Sequence, residues 1–549
     1  MFEMVKNINK YIVIFVFFIV VFLIFFKYEY DVSVSERKNS ELVVFGENIS
    51  TEYKPFVEDY TIYVSLDTIS KTIDENIYYD KLSAKIIVTT YSDVVKLKID
   101  EKKMSRNLEY VDIESCVKLI DDEPYIPIGV LKEIYNIKVG YNEKTNTVTI
   151  DKTNMSDIAI LYNRVKVYSD ISTNSDVIDM LNVDNKVTVY NESLNHKRWY
   201  KVKTSDGMVG YIAKNNIANI LEESNENVQD KTSGNNESEK IVMFWQYGSD
   251  LDTLGKTKTD GVNTVSPTWY ELSNSNGSIS SKYNSEYYAK AKSLGYKIWP
   301  IVTNGIDSST YMPSDTSAMI TSEYNREQFI KNLINIAKKD KLDGINIDFE
   351  AMKTEDKAIY TEFIREMAPI FRKEGIKLSV DIYFVNYIDR KGIGAAADYI
   401  VLMGYDQRGN WSETPGSISE VSWVEKNIES LINDSLVPSN KIILGVPFFT
   451  RLWITKTGET KPTTKVYTMQ NSVDFIKKYK LTPTFDQNAG QNYVEYKEGS
   501  LNYKLWIEDK DSVKRRIETI KKYNLIGFAA WRKGFETSDI WSVVAENIK

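Results

Sequence analysis

The sequence predicts a multidomain protein whose C-terminal part is a (β/α)8 TIM barrel, and three observations predict this fold class. The chain has 549 residues, which is too long for one compact domain. Eight apolar runs recur between residues 240 and 549, with helical patterns between several of them, as expected when β-strands and α-helices alternate. Before residue 222 the apolar runs are short and alternate with polar residues, which predicts small domains rich in β-strands.

The composition excludes several functional classes. The net charge of −8 does not fit a protein that binds nucleic acid over its whole surface. The single cysteine, Cys116, excludes an internal disulfide and a multi-cysteine metal cluster. The single histidine, His196, leaves little room for a Ser-His-Asp triad or a zinc site, and we expect it on a surface or in a turn. If the chain is an enzyme, carboxylates and tyrosines would therefore carry its protons.

Residues 11–26 form a continuous apolar segment, YIVIFVFFIVVFLIFF. As a helix these residues extend about 24 Å, slightly less than the roughly 30 Å of a bilayer core, and flanking polar side chains can reach the interface. We expect an uncleaved, single-pass membrane anchor. Because Lys6 and Lys10 precede the segment, residues 1–10 should be cytoplasmic and residues 28–549 extracellular. The alternatives are a cleaved signal peptide, which would give a secreted protein, and a buried core helix.

Residues 28–155 are predicted to form a small α+β domain. Short runs with period-2 alternation follow one another, and residues 125–150 predict a strand, a short helix and a hairpin. This pattern resembles the copper amine oxidase N-terminal-like domain of bacterial surface proteins. The resemblance implies no copper, and the stretch contains no histidine. A stalk or a module that contacts the cell wall is the role we expect.

Residues 156–221 contain WYKVKTSDGMVGYI, which predicts a small β-barrel with an aromatic pair in its core and glycines at tight turns. The segment resembles a bacterial SH3 (SH3b) domain, and the resemblance rests on Trp199, Tyr200, Gly207, Gly210 and Tyr211. Such domains often bind cell-wall peptides, so the resemblance implies the bacterial cell wall as a partner. A plain spacer role is equally open. Residues 222–239 carry almost no apolar side chains and are predicted to be a linker.

Residues 240–549 contain the strand–helix repeat, and the clearest helices are predicted at 325–339, 355–373 and 511–523. The gap at 450–510 is the longest and predicts a small inserted subdomain between strands 7 and 8. Catalytic residues of such barrels lie at the carboxyl ends of the strands. The eight predicted strands are 241–247, 262–270, 297–305, 343–350, 377–384, 399–406, 441–449 and 525–531.

The fourth predicted strand, DGINIDFE, has the most informative pattern in the chain. Side chains alternate along a strand, so Asn346, Asp348 and Glu350 should point into the barrel and the apolar residues between them toward the helices. Two crowded carboxyl groups cannot both ionise cheaply, so one of them should keep a proton near neutral pH. A protonated acid of this kind suits donation to a leaving-group oxygen. The alternative is a polar strand face that is simply solvated.

This region resembles glycoside hydrolase family 18, including its chitinases and the lytic N-acetylglucosaminidases of bacterial cell wall and spore cortex. The family pattern is D-G-x-D-x-D-x-E, and this chain departs from it at Asn346, where the family usually has Asp. The run Met403–Asp406 ends the predicted sixth strand, as in the family. Trp531 ends the eighth, where the family has the aromatic floor of the −1 sugar site. Trp245 and Trp269 also fall near strand ends, as sugar-stacking or core residues.

The resemblance implies a retaining reaction in which the substrate's own 2-acetamido oxygen attacks the anomeric carbon. It also implies that the reaction needs no metal or other cofactor. Glu350 would be the acid and then the base, and Asp348 would orient the acetamide group. Tyr405 would hydrogen-bond the acetamide oxygen, Asn346 would support Asp348, and Asp406 would contact the sugar. Met403 completes the predicted substrate-binding set.

The predicted substrate is β-linked N-acetylglucosamine in bacterial peptidoglycan, because an exported enzyme with an SH3b-like domain meets the cell wall first. Alternatives are a chitinase or chitooligosaccharide hydrolase, a non-catalytic glycan-binding protein, and a wall scaffold. Retention of Glu350, Asp348 and Tyr405 favours an enzyme. Endo or exo cleavage, the choice between peptidoglycan, cortex and chitin, and the oligomeric state stay open at this point.

Overall fold

The computed structural model describes residues 39–153, 156–221, 239–305, 313–350, 352–385 and 387–548. The predicted anchor at 11–26 and nearly all of the predicted linker, 222–238, lie outside these residues. Among the residues that are described, no helix is both long and apolar enough to span a membrane.

The chain forms two compact units. The first contains the described chain as far as Ile77, then Leu97–Met104 and the stretch that starts at Asp112. The second joins Tyr78–Lys96 and Ser105–Val111 to the C-terminal part of the chain. Two segments from inside the predicted α+β domain thus belong to the same compact unit as the predicted barrel. The domain boundaries predicted from the sequence do not separate the chain in this way.

The α+β part of the first unit has two four-stranded sheets. One has the strand order Ile137–Asn142, Thr147–Lys152, Glu41–Val44 and Glu47–Asn48; the other has Lys118–Ile120, Glu123–Pro127, Thr61–Ser65 and Phe56–Glu58. The helix Leu66–Thr72 begins at Ser65, whose side chain accepts from the backbone N–H of Thr68. The strand, short helix and hairpin predicted at 125–150 are confirmed, the helical part being a 3-10 turn at Ile128–Leu131 and a helix at Lys132–Tyr135.

The SH3-like part of the first unit is one seven-stranded antiparallel sheet. The fully buried residues of its core are aliphatic, and the predicted aromatic pair is only partly buried. Tyr200 packs against this core, whereas Trp199 packs edge-on against Tyr168, with ring centroids 5.6 Å apart. Gly207 has a φ of 82°, which suits the predicted tight turn. The strands are Val177–Leu181, Val165–Tyr168, Val209–Ala213, Trp199–Lys203, Lys186–Tyr190, Ser156–Leu161 and Ile217–Leu221 in spatial order.

His196 and Cys116, the rarest side chains, are both in the first unit. His196 is exposed, and its Nδ1 accepts from the backbone N–H groups of Arg198 and Trp199. This confirms the prediction of a surface or turn position. Cys116 is a half-buried free thiol.

The C-terminal part of the second unit is an eight-stranded parallel barrel, as predicted. The barrel closes because the first strand pairs in parallel with both the second and the eighth. A short segment, Lys297–Ile298, also pairs with the second strand just before the third. The barrel strands are β1 Ile241–Gln246, β2 Thr264–Leu272, β3 Ile301–Thr303, β4 Gly344–Asp348, β5 Lys377–Ile382, β6 Tyr399–Met403, β7 Ile442–Pro447 and β8 Gly527–Trp531.

Helices surround the barrel, and the three clearest predictions agree with Glu323–Lys339, Lys357–Lys373 and Lys510–Lys522 to within two residues. Their apolar faces and the outward side chains of the strands form one large buried cluster. A 3-10 turn at Thr354–Asp356, another at Ser439–Lys441 and a π-helical turn at Ser430–Asp434 complete the connections. The remaining helices are Leu251–Leu254, Ser285–Ser293, Pro313–Thr321, Arg390–Ala396, Val421–Glu429 and Ile540–Asn547.

The predicted subdomain is inserted between β7 and β8. It is a five-stranded antiparallel sheet with one helix, Met469–Tyr479, that begins with a capping box at Thr468 and Asn471. The helix packs on the sheet through Phe475. In spatial order the strands are Thr463–Thr468, Phe449–Lys456, Leu501–Ile507, Gln491–Glu498 and Thr484–Asp486.

The two N-terminal segments of the second unit, Tyr78–Lys96 and Ser105–Val111, belong to a five-stranded sheet between residues 78 and 112. Ile87 and Val94 join the large apolar cluster around the barrel. The guanidinium of Arg372 lies over the ring of Tyr91, 4.0 Å from its centroid. The strands are Tyr78–Asp80, Lys85–Thr89, Val94–Lys98, Lys103–Arg106 and Glu109–Asp112.

A buried ion cluster joins these N-terminal segments to two barrel helices. The ammonium group of Lys96 lies 2.6 Å from Glu323, 3.1 Å from Glu327 and 2.8 Å from Glu366. Arg326 donates from Nε to Glu366 at 2.9 Å and lies 3.3 Å from Asp80. The helices carry an excess of buried carboxylates, which Lys96 compensates.

Candidate active site

Strand β4 presents the predicted polar residues to the barrel interior. Asn346 and Asp348 lie inside, and Glu350 follows directly at the carboxyl end of the strand. Ile345 and Ile347 belong to the outer cluster under the helices. The alternation read from the sequence is therefore confirmed on both faces.

Asn346 is fully buried and holds three hydrogen bonds. Its Oδ1 accepts from the indole Nε1 of Trp245 at 2.7 Å, and its Nδ2 donates to Ser379 Oγ at 3.0 Å and to Asp381 Oδ1 at 2.6 Å. Trp245 is 1% exposed, so its ring has no face free for a sugar. The structure therefore places both residues beneath the site, as supports rather than as substrate contacts.

Asp348 and Glu350 form a hydrogen-bonded carboxyl pair. Burial, and then the charge of Asp381, raise the pKa of Asp348 to about 8. Burial and the neighbouring Asp348 hold the pKa of Glu350 well above its usual range. The backbone N–H of Glu350 is fixed by the side-chain oxygen of Asn304 at 3.0 Å. The pair therefore keeps a proton at neutral pH, as the crowding of two carboxyls predicts.

Two residues of this site, Asp381 and Tyr383, were not among the predicted ones. Asp381 is 4% exposed on β5, and Tyr383, just after this strand, hydrogen-bonds Glu350 and opposes the rise of its pKa. The signal was available in the sequence: KLSVDIYF places Ser379, Asp381 and Tyr383 at alternate positions, the same period-2 pattern that identified the β4 residues.

The run after β6 brings Tyr405 to the carboxyl pair. Tyr405 is buried, and burial together with the charges of Asp381 and Asp348 raises its pKa well above its usual range. Asp406 has a φ of 56° and is half-buried; burial raises its pKa, and the Arg451 guanidinium, 4.0 Å away, opposes the rise. Arg451 belongs to the inserted subdomain and could not be assigned to the site from its position in the sequence.

Met403 and the two remaining predicted tryptophans have different surroundings. Met403 is 4% exposed in the apolar cluster inside the barrel. Trp531 ends β8, is partly exposed, and packs edge-on against Trp245 with centroids 6.0 Å apart. Trp531 thus packs against the apolar cluster inside the barrel and keeps ring surface available to a ligand, whereas Met403 is buried within that cluster.

Trp269 does not belong to the site, contrary to the prediction. It is 1% exposed, packs in the outer cluster against Tyr283 and Tyr287, and donates from Nε1 to Ser249 Oγ at 2.6 Å. The pairing of β2 with β3 shifts register between Thr268 and Tyr270. Trp269 shares its face of β2 with Val265, four residues earlier, which packs in the same outer cluster, so strand alternation itself turns the Trp269 ring outward.

The arrangement can donate and recover a proton. A buried carboxyl pair with raised pKa values, a tyrosine hydroxyl and a partly exposed tryptophan converge at the mouth of the barrel. Within the ranges that the structure covers, no group of three or more His, Cys, Asp or Glu side chains is placed to hold a metal ion.

Three family models match the chain. The model described as glycosyl hydrolases family 18 matches residues 240–535, that of the copper amine oxidase N-terminal domain matches 43–150, and that of the bacterial SH3 domain matches 163–218. The three resemblances identified in the sequence are thus confirmed.

Known proteins share the C-terminal part. The chain is 29% identical over 276 residues to the uncharacterized glycosylase YvbX of Bacillus subtilis, covering 48% of this chain and 77% of that protein. It is 24% identical over 270 residues to the cortical fragment-lytic enzyme of Bacillus anthracis, covering 47% of this chain and 62% of that protein. The crystal structure of the spore cortex-lytic enzyme SleL of Bacillus megaterium shares the fold, with a TM-score of 0.51, 21% identity, and coverage of 58% of this chain and 76% of that one.

Proposed function

The chain belongs to glycoside hydrolase family 18, and on this basis we propose that it cleaves β-linked N-acetylglucosamine in bacterial peptidoglycan by a retaining, substrate-assisted mechanism. The hydrogen-bonded pair of Asp348 and Glu350 is the observation that carries the proposal. Both groups have raised pKa values at the carboxyl end of β4, which leaves one protonated acid ready at neutral pH.

In the first step Glu350 donates its proton to the glycosidic oxygen. As the bond from the anomeric carbon to that oxygen breaks, the carbonyl oxygen of the 2-acetamido group attacks the same carbon and forms an oxazolinium ion. Tyr405 donates a hydrogen bond to the acetamide oxygen and keeps it in line. The leaving sugar departs with the proton.

Asp348 stabilises the positive charge that develops on the acetamide. Its Oδ1 is buried and accepts no hydrogen bond from any part of the chain that the structure describes, so it is open to the acetamide N–H. In the second step the Glu350 carboxylate takes a proton from water, and the oxygen of that water attacks the anomeric carbon from the face that the leaving group left. The bond from that carbon to the acetamide oxygen breaks, which restores the acetamide group. The configuration is therefore retained.

The substrate is proposed from the rest of the chain. The match to a bacterial SH3 domain and the relative named as a cortical fragment-lytic enzyme both support a cell-wall glycan. We further propose that residues 11–26 anchor the protein in the cell membrane, with residues 28–549 outside. A chitin-type oligosaccharide is the second candidate substrate.

The test compares full-length wild type with Glu350→Gln on purified peptidoglycan, with Glu355→Gln, an exposed acid, as the matched control. Loss of the proton donor should lower the release of reducing ends by about 100-fold or more, while glycan binding persists and the control stays at the wild-type rate. Mass spectrometry should find products that end in reducing N-acetylglucosamine. Products that end in reducing N-acetylmuramic acid would contradict the proposed bond, and binding without any cleavage by the wild type would indicate a lectin.

A further inference from the structure

Asp381 is a buried carboxyl group to which the proposed mechanism gives no role. It lies on β5, and its Oδ1 accepts a 2.6 Å hydrogen bond from Asn346 Nδ2. The family usually has an aspartate where this chain has Asn346. We propose that Asp381 is a positioning residue that supplies, from the neighbouring strand, the carboxyl group that position 346 lacks; the inference rests on the proposed function.

The orientation of the Asn346 amide follows from its partners. An indole N–H can only donate, so the Asn346 oxygen must face Trp245, at 2.7 Å. The Asn346 Nδ2 group then points to β5, where it meets Ser379 and Asp381. An aspartate at position 346 could accept from Trp245 equally well, but it would bring two carboxyls to 2.6 Å from each other.

Asn346 and Asp381 are therefore a matched amide–carboxyl pair across β4 and β5. The two strands are in register here, because Asn346 pairs with Ser379. Because β4 carries the amide and β5 the carboxyl, only one of these two buried positions holds an acid. Exchanging the two residues would keep the same composition and move the acid from β5 to β4.

Burial raises the pKa of Asp381 itself well above its usual range, and the hydrogen bond from Asn346 opposes this rise, so Asp381 titrates together with the catalytic pair. Asp381 is the main charged group that raises the pKa of Asp348, and it also raises the pKa of Tyr405. The titratable groups that interact with Asp381 in the described part of the chain lie on three elements: Asp348 and Glu350 at β4, Tyr405 at β6, and Tyr360 on the helix Lys357–Lys373. Removing Asp381 should let the β4 pair lose its proton at lower pH.

The experiment compares the full-length wild type, Asp381→Asn, Asn346→Asp and the exchange variant Asn346→Asp/Asp381→Asn. Initial rates on solubilised peptidoglycan are measured between about pH 4 and pH 9. The alkaline limb of kcat/KM, where the general acid loses its proton, should move about one pH unit lower in Asp381→Asn, because a like charge is lost. Asn346→Asp should move it higher, and the exchange variant should return it to the wild-type position.

Two outcomes overturn the inference. One is a lower rate in Asp381→Asn with an unmoved limb, which would mark a structural role alone. The other is an exchange variant that is no nearer to wild type than Asp381→Asn. If Asp381→Asn fails to fold, an unmoved limb in Asn346→Asp overturns it.

A readout that needs no turnover separates this inference from the proposed function. Difference infrared spectroscopy follows the band of protonated carboxyl groups as pH rises. In Asp381→Asn the pair of Asp348 and Glu350 still titrates, and the midpoint pH of this titration should be lower than in the wild type. If the wild type releases no reducing ends but this midpoint moves, the proposed function fails and the role of Asp381 stands.

Discussion

Lys96→Met tests whether residues 78–96 are part of the folded catalytic unit. The side chain of Lys96 is 5% exposed, and its ammonium group lies within 3.1 Å of three buried carboxylates, those of Glu323, Glu327 and Glu366. Methionine keeps most of the apolar stem and removes the charge. The three carboxylates then lose their shared cation in a site that water does not reach, and breaking a buried pair in this way is strongly destabilising.

The magnitude follows from Glu327. Its neighbours Lys96 and Lys331 lower its pKa from the ordinary 4.5 to about 2, against the effect of burial. A depression of this size corresponds to about 3 kcal/mol of stability at neutral pH, of which Lys331 contributes a part. With Glu323 and Glu366 also uncompensated, we expect Lys96→Met to lower the free energy of unfolding by about 3–5 kcal/mol.

Urea-induced unfolding followed by tryptophan fluorescence measures this change, because nine of the ten tryptophans lie in residues 240–549. Lys85→Met is the matched control. Lys85 contacts the same Glu323 at 2.6 Å but its side chain is 23% exposed, so its loss should cost about 1 kcal/mol or less.

The pH dependence has a definite sign. The folded-state pKa of Glu327 is depressed, so its stabilising contribution is present above pH 4.5 and is lost as pH falls toward 2. The difference in the free energy of unfolding between Lys96→Met and wild type should therefore become smaller below about pH 4. Equal effects of Lys96→Met and Lys85→Met at pH 7 would contradict this prediction. They would mean that the Lys96 ion cluster does not stabilise the barrel and that residues 78–96 unfold separately from it.

Three further predictions concern Glu362, Trp531 and Trp269. Burial raises the pKa of Glu362 to about 8, so its contribution to stability is greatest below pH 4.5 and is lost as pH rises through 8. In urea titrations at pH 9, Glu362→Gln should therefore be at least about 1 kcal/mol more stable than wild type. A gain in stability that does not vary with pH would contradict this prediction. Trp531→Ala should lower kcat/KM about tenfold with little change in stability. Trp269→Phe should instead cost about 1–3 kcal/mol of stability and leave KM unchanged, as steady-state kinetics and thermal melts will show.

Much of the site could be predicted because strand alternation is a local property. The spacing of Asn346, Asp348 and Glu350 determines that all three side chains leave β4 on one face, whatever the strand pairs with. The same rule applied to β5 would have found Asp381 and Tyr383. It would not have found Arg451, because that residue reaches Asp406 only through the fold of the inserted subdomain.

Local alternation also explains the errors. Trp269 lies near a strand end, as sugar-binding tryptophans do, but it shares the outward face of β2 with Val265, as the alternation of that strand requires. Trp245 points inward as alternation predicts, yet the layer above it covers its ring. The cover over the Trp245 ring cannot be read from the neighbours of that residue in the chain.

The sequence alone determined the number and order of the barrel strands, the face on which each β4 side chain lies, and the family to which residues 240–535 belong. These depend on periodicity and motif, which short stretches of chain carry. Only the tertiary structure decided that Asp381 lies beside Asn346 and that Lys96 neutralises helices more than 200 residues away. Both contacts join distant segments, and their strength comes from exclusion of water, which exists only when the whole unit has folded.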